Sequence, residues 1–416
     1  MPPTINSDRF KDDFDALARF GATGDGGVDR PCWSPAHLEA QQWWRERAAA
    51  AGLETHIDGA GNVSAVRRGR PGGRTLILGS HTDSVPRGGR FDGALGVLAA
   101  LEAARVIQEA GLDLLVDVEV LDFADEEGTL VGLLGSKACA GTLRPEELRA
   151  PRGGRAALEA GMARAGVTEA GILAARRDPA TLAGYLELHI EQGPNLMRHA
   201  LAVGVVQGIV GIRSYRLTYH GQANHAGTTP MDQRADAALG AAAFTLTARE
   251  LVLRDFPGCT VNVGQMRFAP GAFNIIPGAA ELALEFRAPD LDKLDELQAA
   301  LTGLAEVVGR QFGLTLQAEA LGGACAPAPM GARARAAITA AAESLALKHT
   351  PLFSGAGHDA MSLAPLTEAG MIFVPSRAGI SHSPLEFTAW DDCVNGANVL
   401  LRAALGLAGA PGENAA

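Results

Sequence analysis

The chain has 416 residues, enough for two domains or one large one. It is 47% hydrophobic but only 5% aromatic, so it can bury a substantial core yet offers little for stacking on nucleic-acid bases. A formal charge of −11 disfavours phosphate backbones and anionic membranes as partners, while a local arginine could still hold an anionic small molecule.

The segment Met1 to Phe10 is polar, without the apolar core of a signal peptide, and no run of about 18 apolar residues is long enough to span a membrane. Helices are predicted over Ser7–Phe20 and Ser34–Ala51, the second with Ser34 as N-cap and Pro35 at the first turn. Short strands follow at Leu53–Ile57 and Asn62–Val66. Thr75-Leu76-Ile77-Leu78 reads as a buried strand that runs into Gly79-Ser80-His81-Thr82-Asp83-Ser84. Phe91-Asp92-Gly93 then opens a helix-like stretch to Ala110. Val116–Phe123 is a second buried strand, ending in Asp125-Glu126-Glu127-Gly128. This alternation predicts a mainly parallel sheet covered by helices.

Arg144–Ala183 reads as helices and loops. Strands resume at Tyr185–Ile190, with His189 near the end and Gln192 just beyond, and at Ala202–Val206. The pattern changes near Ile212. A strand at Ser214–His220, a helix at Met231–Leu253 behind Pro230, strands at Thr260–Phe268 and Ala280–Arg287, a helix at Leu291–Phe312 and a strand at Leu314–Ala320 give the order β-α-β-β-α-β of a split-βαβ, ferredoxin-like unit. Helices at Ala332–Leu347 and Asp359–Leu366, a strand at Gly370–Val374 and a helix at Ala389–Leu407 then rejoin the first sheet. The expected domains are 1–210 and 328–416 as one catalytic domain with 211–327 inserted. Gly406–Ala416 is small, polar and expected to fray. Cys32, Cys139, Cys259, Cys325 and Cys393 are scattered, odd in number and contain no Cys-x-x-Cys, which fits a reducing, cytoplasmic compartment and leaves a distant disulfide open.

Four of these strand ends carry metal-ligating side chains, where open α/β sheets place their ligands. His81 and Asp92 suit a divalent cation, and Asp83, two residues past His81, could accept its other ring N–H. A strand-end histidine beside a helix-capping aspartate fits the same residues. Glu126 and Glu127 could divide between proton transfer and metal binding, or form a solvated acidic turn. His189 and His382, in Gly379-Ile380-Ser381-His382-Ser383-Pro384, are each compatible with a core or capping role. Together the set offers three histidines and two carboxylates, about what two ions bridged by Asp92 need.

With these blocks in view, and adding Asn224-His225-Ala226-Gly227-Thr228-Thr229-Pro230, Asn274-Ile275-Ile276-Pro277 and Gly355-Ala356-Gly357-His358-Asp359, the chain resembles the hydantoinase/carbamoylase family of di-metal amidohydrolases over nearly its whole length. The family includes N-carbamoyl-L-amino acid hydrolases, allantoate amidohydrolases and β-ureidopropionases, relatives of aminoacylases and zinc peptidases. The resemblance implies an α/β hydrolase domain with an inserted lid and dimerisation domain, and two divalent ions (Zn, Mn, Co or Ni) per subunit. It implies His81 and His189 on one ion, Glu127 and His382 on the other, Asp92 bridging, and Glu126 as general base. It further implies Gln192, His225, Asn274, Arg287 and Gly357 as substrate contacts, with Arg287 gripping a carboxylate, His225 aiding catalysis from the neighbouring subunit, and a homodimer. Alone, His225 could equally cap a helix, Asn274 make a turn and Arg287 be a surface residue. The segment after Gly128 is shorter than in many members and lacks their Arg-Phe pair, so the wall beneath the second ion differs there. The expected reaction is hydrolysis of an N-carbamoyl-L-amino acid. Allantoate hydrolysis, N-acyl amino acid or dipeptide hydrolysis, and a non-catalytic metal-binding scaffold are the alternatives.

Overall fold

The computed structural model describes residues 3–409, so most of the Gly406–Ala416 tail lies outside the described residues. The chain divides into two compact units, one built from the segments up to Gln207 and from Met330 onward, the other from Gly208–Pro329.

The first unit is a nine-stranded sheet. Its strands in chain order are β1 (Glu54–Ile57), β2 (Val63–Arg67), β3 (Thr75–His81), β4 (Asp117–Phe123), β5 (Leu182–Ile190) and β6 (Val203–Ile209). The second unit supplies β7 (Gly211–His220), β8 (Thr260–Ala269), β9 (Ala279–Ala288) and β10 (Thr315–Ala320), after which come β11 (Ala328–Pro329), β12 (His349–Ser354) and β13 (Ala369–Val374). The order is β1-β2-β4-β3-β5-β13-β6-β11, with β12 also on β6. The central strands β4, β3, β5 and β13 are parallel, while β1, β2, β6 and β11 pair antiparallel at the edges. Parallelism is thus confined to the middle, where crossovers place helices on both faces. This is why β3, β4 and β13 are apolar runs buried on both sides.

One face packs against the helices Ala94–Glu109 and Trp390–Ala408, joining Leu76, Leu78, Leu186, Leu188 and Ile190 with Leu98, Leu101, Leu400 and Leu401. A separate cluster of Trp33, Ala124, Leu130, Leu158 and Ile172 gathers the short helices between β4 and β5. Burying some of these leucines contributes roughly 1.5–3 kcal/mol per side chain. The expected strand set lacked β12: His349-Thr350-Pro351-Leu352-Phe353-Ser354 has a proline and only partial burial, so its sequence carries no strand pattern.

The second unit is an antiparallel sheet in the order β10-β7-β9-β8. Alternate residues of β9 are buried, and Leu282, Leu284 and Phe286 meet Phe244, Leu297 and Leu301 from the helices Ala237–Asp255 and Leu291–Gln311. The first of these helices starts later than expected from Pro230. Met231–Gln233 forms only a 3-10 turn, and the true cap is Asp236, whose carboxylate accepts the Ala238 N–H at 2.9 Å.

Candidate metal and catalytic site

The carboxyl ends of the parallel strands converge on one place. His81 is the last residue of β3 and is 1% exposed. Its Nδ1 lies 3.0 Å from the main-chain carbonyl of Asp83, and a carbonyl only accepts, so Nδ1 carries the proton. Nε2 therefore has a free lone pair, and it is buried without a hydrogen-bond partner. His189, near the end of β5, is fixed the same way by the Ile190 carbonyl at 2.9 Å, leaving Nε2 to accept a long bond from the Gly93 N–H at 3.3 Å.

The expected role of Asp83 changes here. Its carboxylate is 3.8 Å from His81 Nδ1, and it instead accepts the backbone N–H groups of Glu126 at 3.2 Å and Glu127 at 3.3 Å. Asp83 does orient His81, but through its carbonyl, because the tight turn after β3 points the side chain toward β4. Its carboxylate belongs to the Glu126-Glu127 turn.

Asp92 sits between the histidines. Its Oδ1 is 3.0 Å from His189 Nε2 and 3.6 Å from His81 Nε2. Its Oδ2 is 3.4 Å from His382 Nε2, which in turn is 3.4 Å from Glu127 Oε2. Three groups able to hold an ion result: His81–Asp92–His189 and Asp92–Glu127–His382, which share the Asp92 carboxylate, and Glu187–His189–His358, which shares His189 with the first. Glu126 is in none of them; its Oε2 lies 3.6 Å from His81 Nε2. Gly93 admits this geometry: at φ +62 it takes a left-handed turn, and a Cβ there would come within 2.4 Å of the His81 ring.

The electrostatics ask for positive charge. Burial pushes the Glu126 carboxyl well above its ordinary value; His81 opposes this, while Glu127, Asp359 and Asp92 reinforce it. Burial also raises Glu127, assisted by Asp92. For Asp92 burial again favours the neutral acid, but the imidazoles of His189, His382 and His81 outweigh it and hold the carboxyl well below the usual range. His382 is raised to about 9, chiefly by its hydrogen bond to Asp92. Against the lowering effect of burial, Glu126 and Asp92 raise the His81 imidazole and Asp92 raises that of His189, so protons compete with a cation there; two Nε2 atoms turned toward a shared carboxylate are the donor set of a divalent cation, and these residues fit one.

Gln192 joins this site. Its Nε2 donates to Asp92 Oδ2 at 2.7 Å and to Ser381 Oγ at 3.1 Å. Gly357 lies in the loop before His358, a buried histidine whose ring meets that of His189 edge-on at 4.3 Å. Among the remaining expected residues, all in the second unit, His225 and Asn274 are brought together: His225 bridges Ile275, and the Ala226 N–H donates to the Asn274 carbonyl at 2.9 Å. His225 Nδ1 accepts the N–H groups of Gly227 and Thr228 at 3.1 and 3.2 Å, so its proton sits on Nε2, which becomes a donor. Arg287 uses Nε and Nη2 on Glu285 at 2.9 and 2.7 Å.

Several residues escaped sequence reasoning. Glu187, two residues before His189, accepts from Ser80 Oγ, Tyr185 Oη and the Ala360 N–H. Asp359 is fully buried and raised to about 8, with burial the main cause and Glu187 next. Ser381 and Glu386 hold the Asp92 segment. Neighbouring strand ends gave a signal for Glu187; the Ser381–Glu386 contacts span too much sequence to leave one. In the short segment after Gly128, Asp125 accepts the N–H groups of Leu130 and Gly132, and Arg152 lies over Gly128, so close that a Cβ there would be 2.6 Å from Nη1.

Comparison with known proteins shows the family of the chain. The model of peptidase family M20/M25/M40 matches residues 77–406. The chain is 37% identical over 401 residues, 95% of this chain and 97% of the relative, to an N-carbamoyl-L-amino-acid amidohydrolase of Paenarthrobacter aurescens. It is 33% identical to the allantoate amidohydrolase of Escherichia coli, over 92% of this chain and 94% of that protein. A crystal structure of a hydantoinase/carbamoylase family amidase from Burkholderia multivorans superposes with a TM-score of 0.91 at 33% identity, covering 99% of this chain and 100% of the other.

Proposed function

From the premise that this chain belongs to peptidase family M20/M25/M40, and within it to the hydantoinase/carbamoylase amidases, we propose that it hydrolyses N-carbamoyl-L-amino acids. The observation that carries this reading is the Asp92 carboxylate shared between two ligand groups, with a buried, uncommitted Glu126 beside them. His81, Asp92 and His189 would hold one divalent ion, and Asp92, Glu127 and His382 a second. When bound, such ions polarise a carbonyl and bring the pKa of water down to about 7.

The chain's own residues do the rest. Glu126, raised by burial, takes a proton from the attacking water as its oxygen adds to the carbamoyl carbon. The tetrahedral oxyanion is met by the Nε2–H of His225, whose tautomer is set by its own turn. Glu126 returns the proton to the amino acid nitrogen as the C–N bond breaks. The products are the amino acid and carbamic acid, which decomposes to carbon dioxide and ammonia. Gln192 holds Asp92 in place, and Arg287 binds the substrate carboxylate.

The 211–327 segment acts as a lid and dimerisation domain that delivers His225, Asn274 and Arg287. Two features support dimerisation. The edge strand β8 is largely exposed. On the helix Ala237–Asp255, Leu239, Leu246 and Leu253 are exposed at heptad spacing, 42%, 69% and 63%. A cytoplasmic setting is supported by five cysteines without a disulfide; among the described residues no helix is long and apolar enough to cross a membrane.

Ammonia release from N-carbamoyl-L-amino acids and allantoate, set beside free amino acid release from N-acyl amino acids and dipeptides, tests the assignment. Faster turnover of allantoate, or of the acyl or peptide substrates, overturns it. In Glu126→Gln, retained metal with kcat lowered by about 10²–10⁴-fold is expected; an inactive wild type that has been supplied with metal points to the scaffold alternative.

A further inference from the structure

We propose that Glu386 is a positioning residue that locks the His382 loop to the Asp92 segment and so builds the Asp92–Glu127–His382 cation site selectively. The inference rests on the metal-site reading above. Glu386 is 5% exposed and reaches across 294 positions of sequence. One of its oxygens, Oε1, accepts the main-chain N–H groups of Phe91 at 2.9 Å and Asp92 at 3.0 Å. The other, Oε2, is 2.8 Å from Ser381 Oγ, which also lies 3.0 Å from Asp92 Oδ2. A single side chain therefore grips the backbone of Asp92 and sits against the Ser381 hydroxyl, whose one proton is shared between Glu386 Oε2 and the Asp92 oxygen that faces His382.

The main chain of the same residue closes its own loop. The Glu386 N–H donates to the Ser383 carbonyl at 3.0 Å, closing the turn that carries His382. His382 needs such support: it has φ +54, in the left-handed region, and its side chain is 52% exposed. That conformation is unfavourable for a non-glycine residue, so the surrounding structure must impose it. Room for the anchor is provided by Gly89, where a Cβ would fall 2.0 Å from Glu386 Oε1. The two histidines of the His81–Asp92–His189 group do not depend on this clamp, because each is fixed by a main-chain carbonyl, so that group shares only Asp92 with it.

The test is metal binding, separate from turnover. Full-length protein stripped with a chelator is titrated with Mn²⁺ or Zn²⁺ by equilibrium dialysis, with folding checked by circular dichroism. Wild type is expected to bind two ions. Glu386→Ala should keep one and hold the second about 10–100-fold more weakly. Glu386→Gln should restore the second site, because its carbonyl can accept from Phe91 and Asp92 while its amide donates to Ser381. If Glu386→Ala does not fold, Ser381→Ala, which removes only the hydroxyl between Glu386 and Asp92, carries the same expectation for the second ion. Equal second-site affinity in wild type and the folded variants overturns this inference alone. A wild type that takes up no ion overturns the metal-site reading, and this inference with it.

Discussion

Replacing Asp83 by asparagine separates two ways of building the site. In the structure the Asp83 carboxylate accepts the N–H groups of Glu126 and Glu127, while His81 is held by the Asp83 carbonyl. Asparagine keeps that carbonyl and the side-chain shape. One of its side-chain atoms still accepts, but the other becomes an NH₂ facing a backbone N–H. One charge-assisted bond is lost and one buried donor is left unpaired, together about 2–3 kcal/mol of folding stability. Glu126 moves with its backbone, so kcat should fall by an order of magnitude or more, out of the roughly 10²–10⁴-fold that a general base supplies. His81 keeps its tautomer, so the ion held by His81, Asp92 and His189 should be retained, while the ion at Glu127, whose backbone N–H loses the same carboxylate, is held more weakly. Urea denaturation, metal analysis and ammonia release on the same preparation measure all three. Had the carboxylate oriented His81, the substitution would instead lower affinity for the His81–Asp92–His189 ion by about 10–100-fold with kcat per bound metal intact. That outcome would refute the reasoning.

Other outcomes follow from the same geometry. Gly93→Ala should lose metal and activity together, because its Cβ would strike the His81 ring and its φ is left-handed; intact metal stoichiometry in a folded variant contradicts this. Removal of metal by a chelator should lower the thermal midpoint, since Asp92, Glu126 and Glu127 then face one another without a cation, and added Mn²⁺ or Zn²⁺ should restore it in proportion to RT ln(1 + [L]/Kd). Burial raises Asp122 from 3.8 to about 6, against hydrogen bonds from Thr82 and Gln41. A carboxyl raised on folding contributes its stability below its unfolded pKa and loses it as pH climbs through the folded value. Wild type should therefore lose up to roughly 3 kcal/mol relative to Asp122→Asn between pH 4 and pH 8. Parallel urea titrations would show it, and a pH-independent difference would rule it out.

Much of the site was legible because it sits where sequence patterns stop. His81, the Glu126-Glu127 pair and His189 each follow an apolar run, and such runs mark central parallel strands whose ends are adjacent. What was hidden depends on backbone conformations that residue identity does not announce. Asp125, Gln192 and His382 all adopt left-handed φ near +55; Gln192 and His382 thereby turn a polar group into the site, while Asp125 turns its carboxylate onto the Leu130 and Gly132 amides. Asp83 was assigned to the right histidine through the wrong atom, because spacing cannot tell a carbonyl from a carboxylate. Asp236 rather than Pro230 starts the helix of the second unit, since a side-chain cap satisfies orphan N–H groups and a proline does not. β12 remained hidden behind its proline, and Glu386 could be found only from coordinates.

The position of β13 has a consequence for biogenesis. It lies between β5 and β6, yet it is made after both of them and after the whole of Gly208–Pro329. While the ribosome is still synthesising residues before Ala369, β5 therefore lacks a neighbour on one side and exposes a row of unpaired amides and carbonyls. The intervening unit can complete its own sheet in that interval, but the first one must wait for the closing strand. Nascent chains stalled before Ala369 should for this reason be the ones that need holding by chaperones and the ones that aggregate.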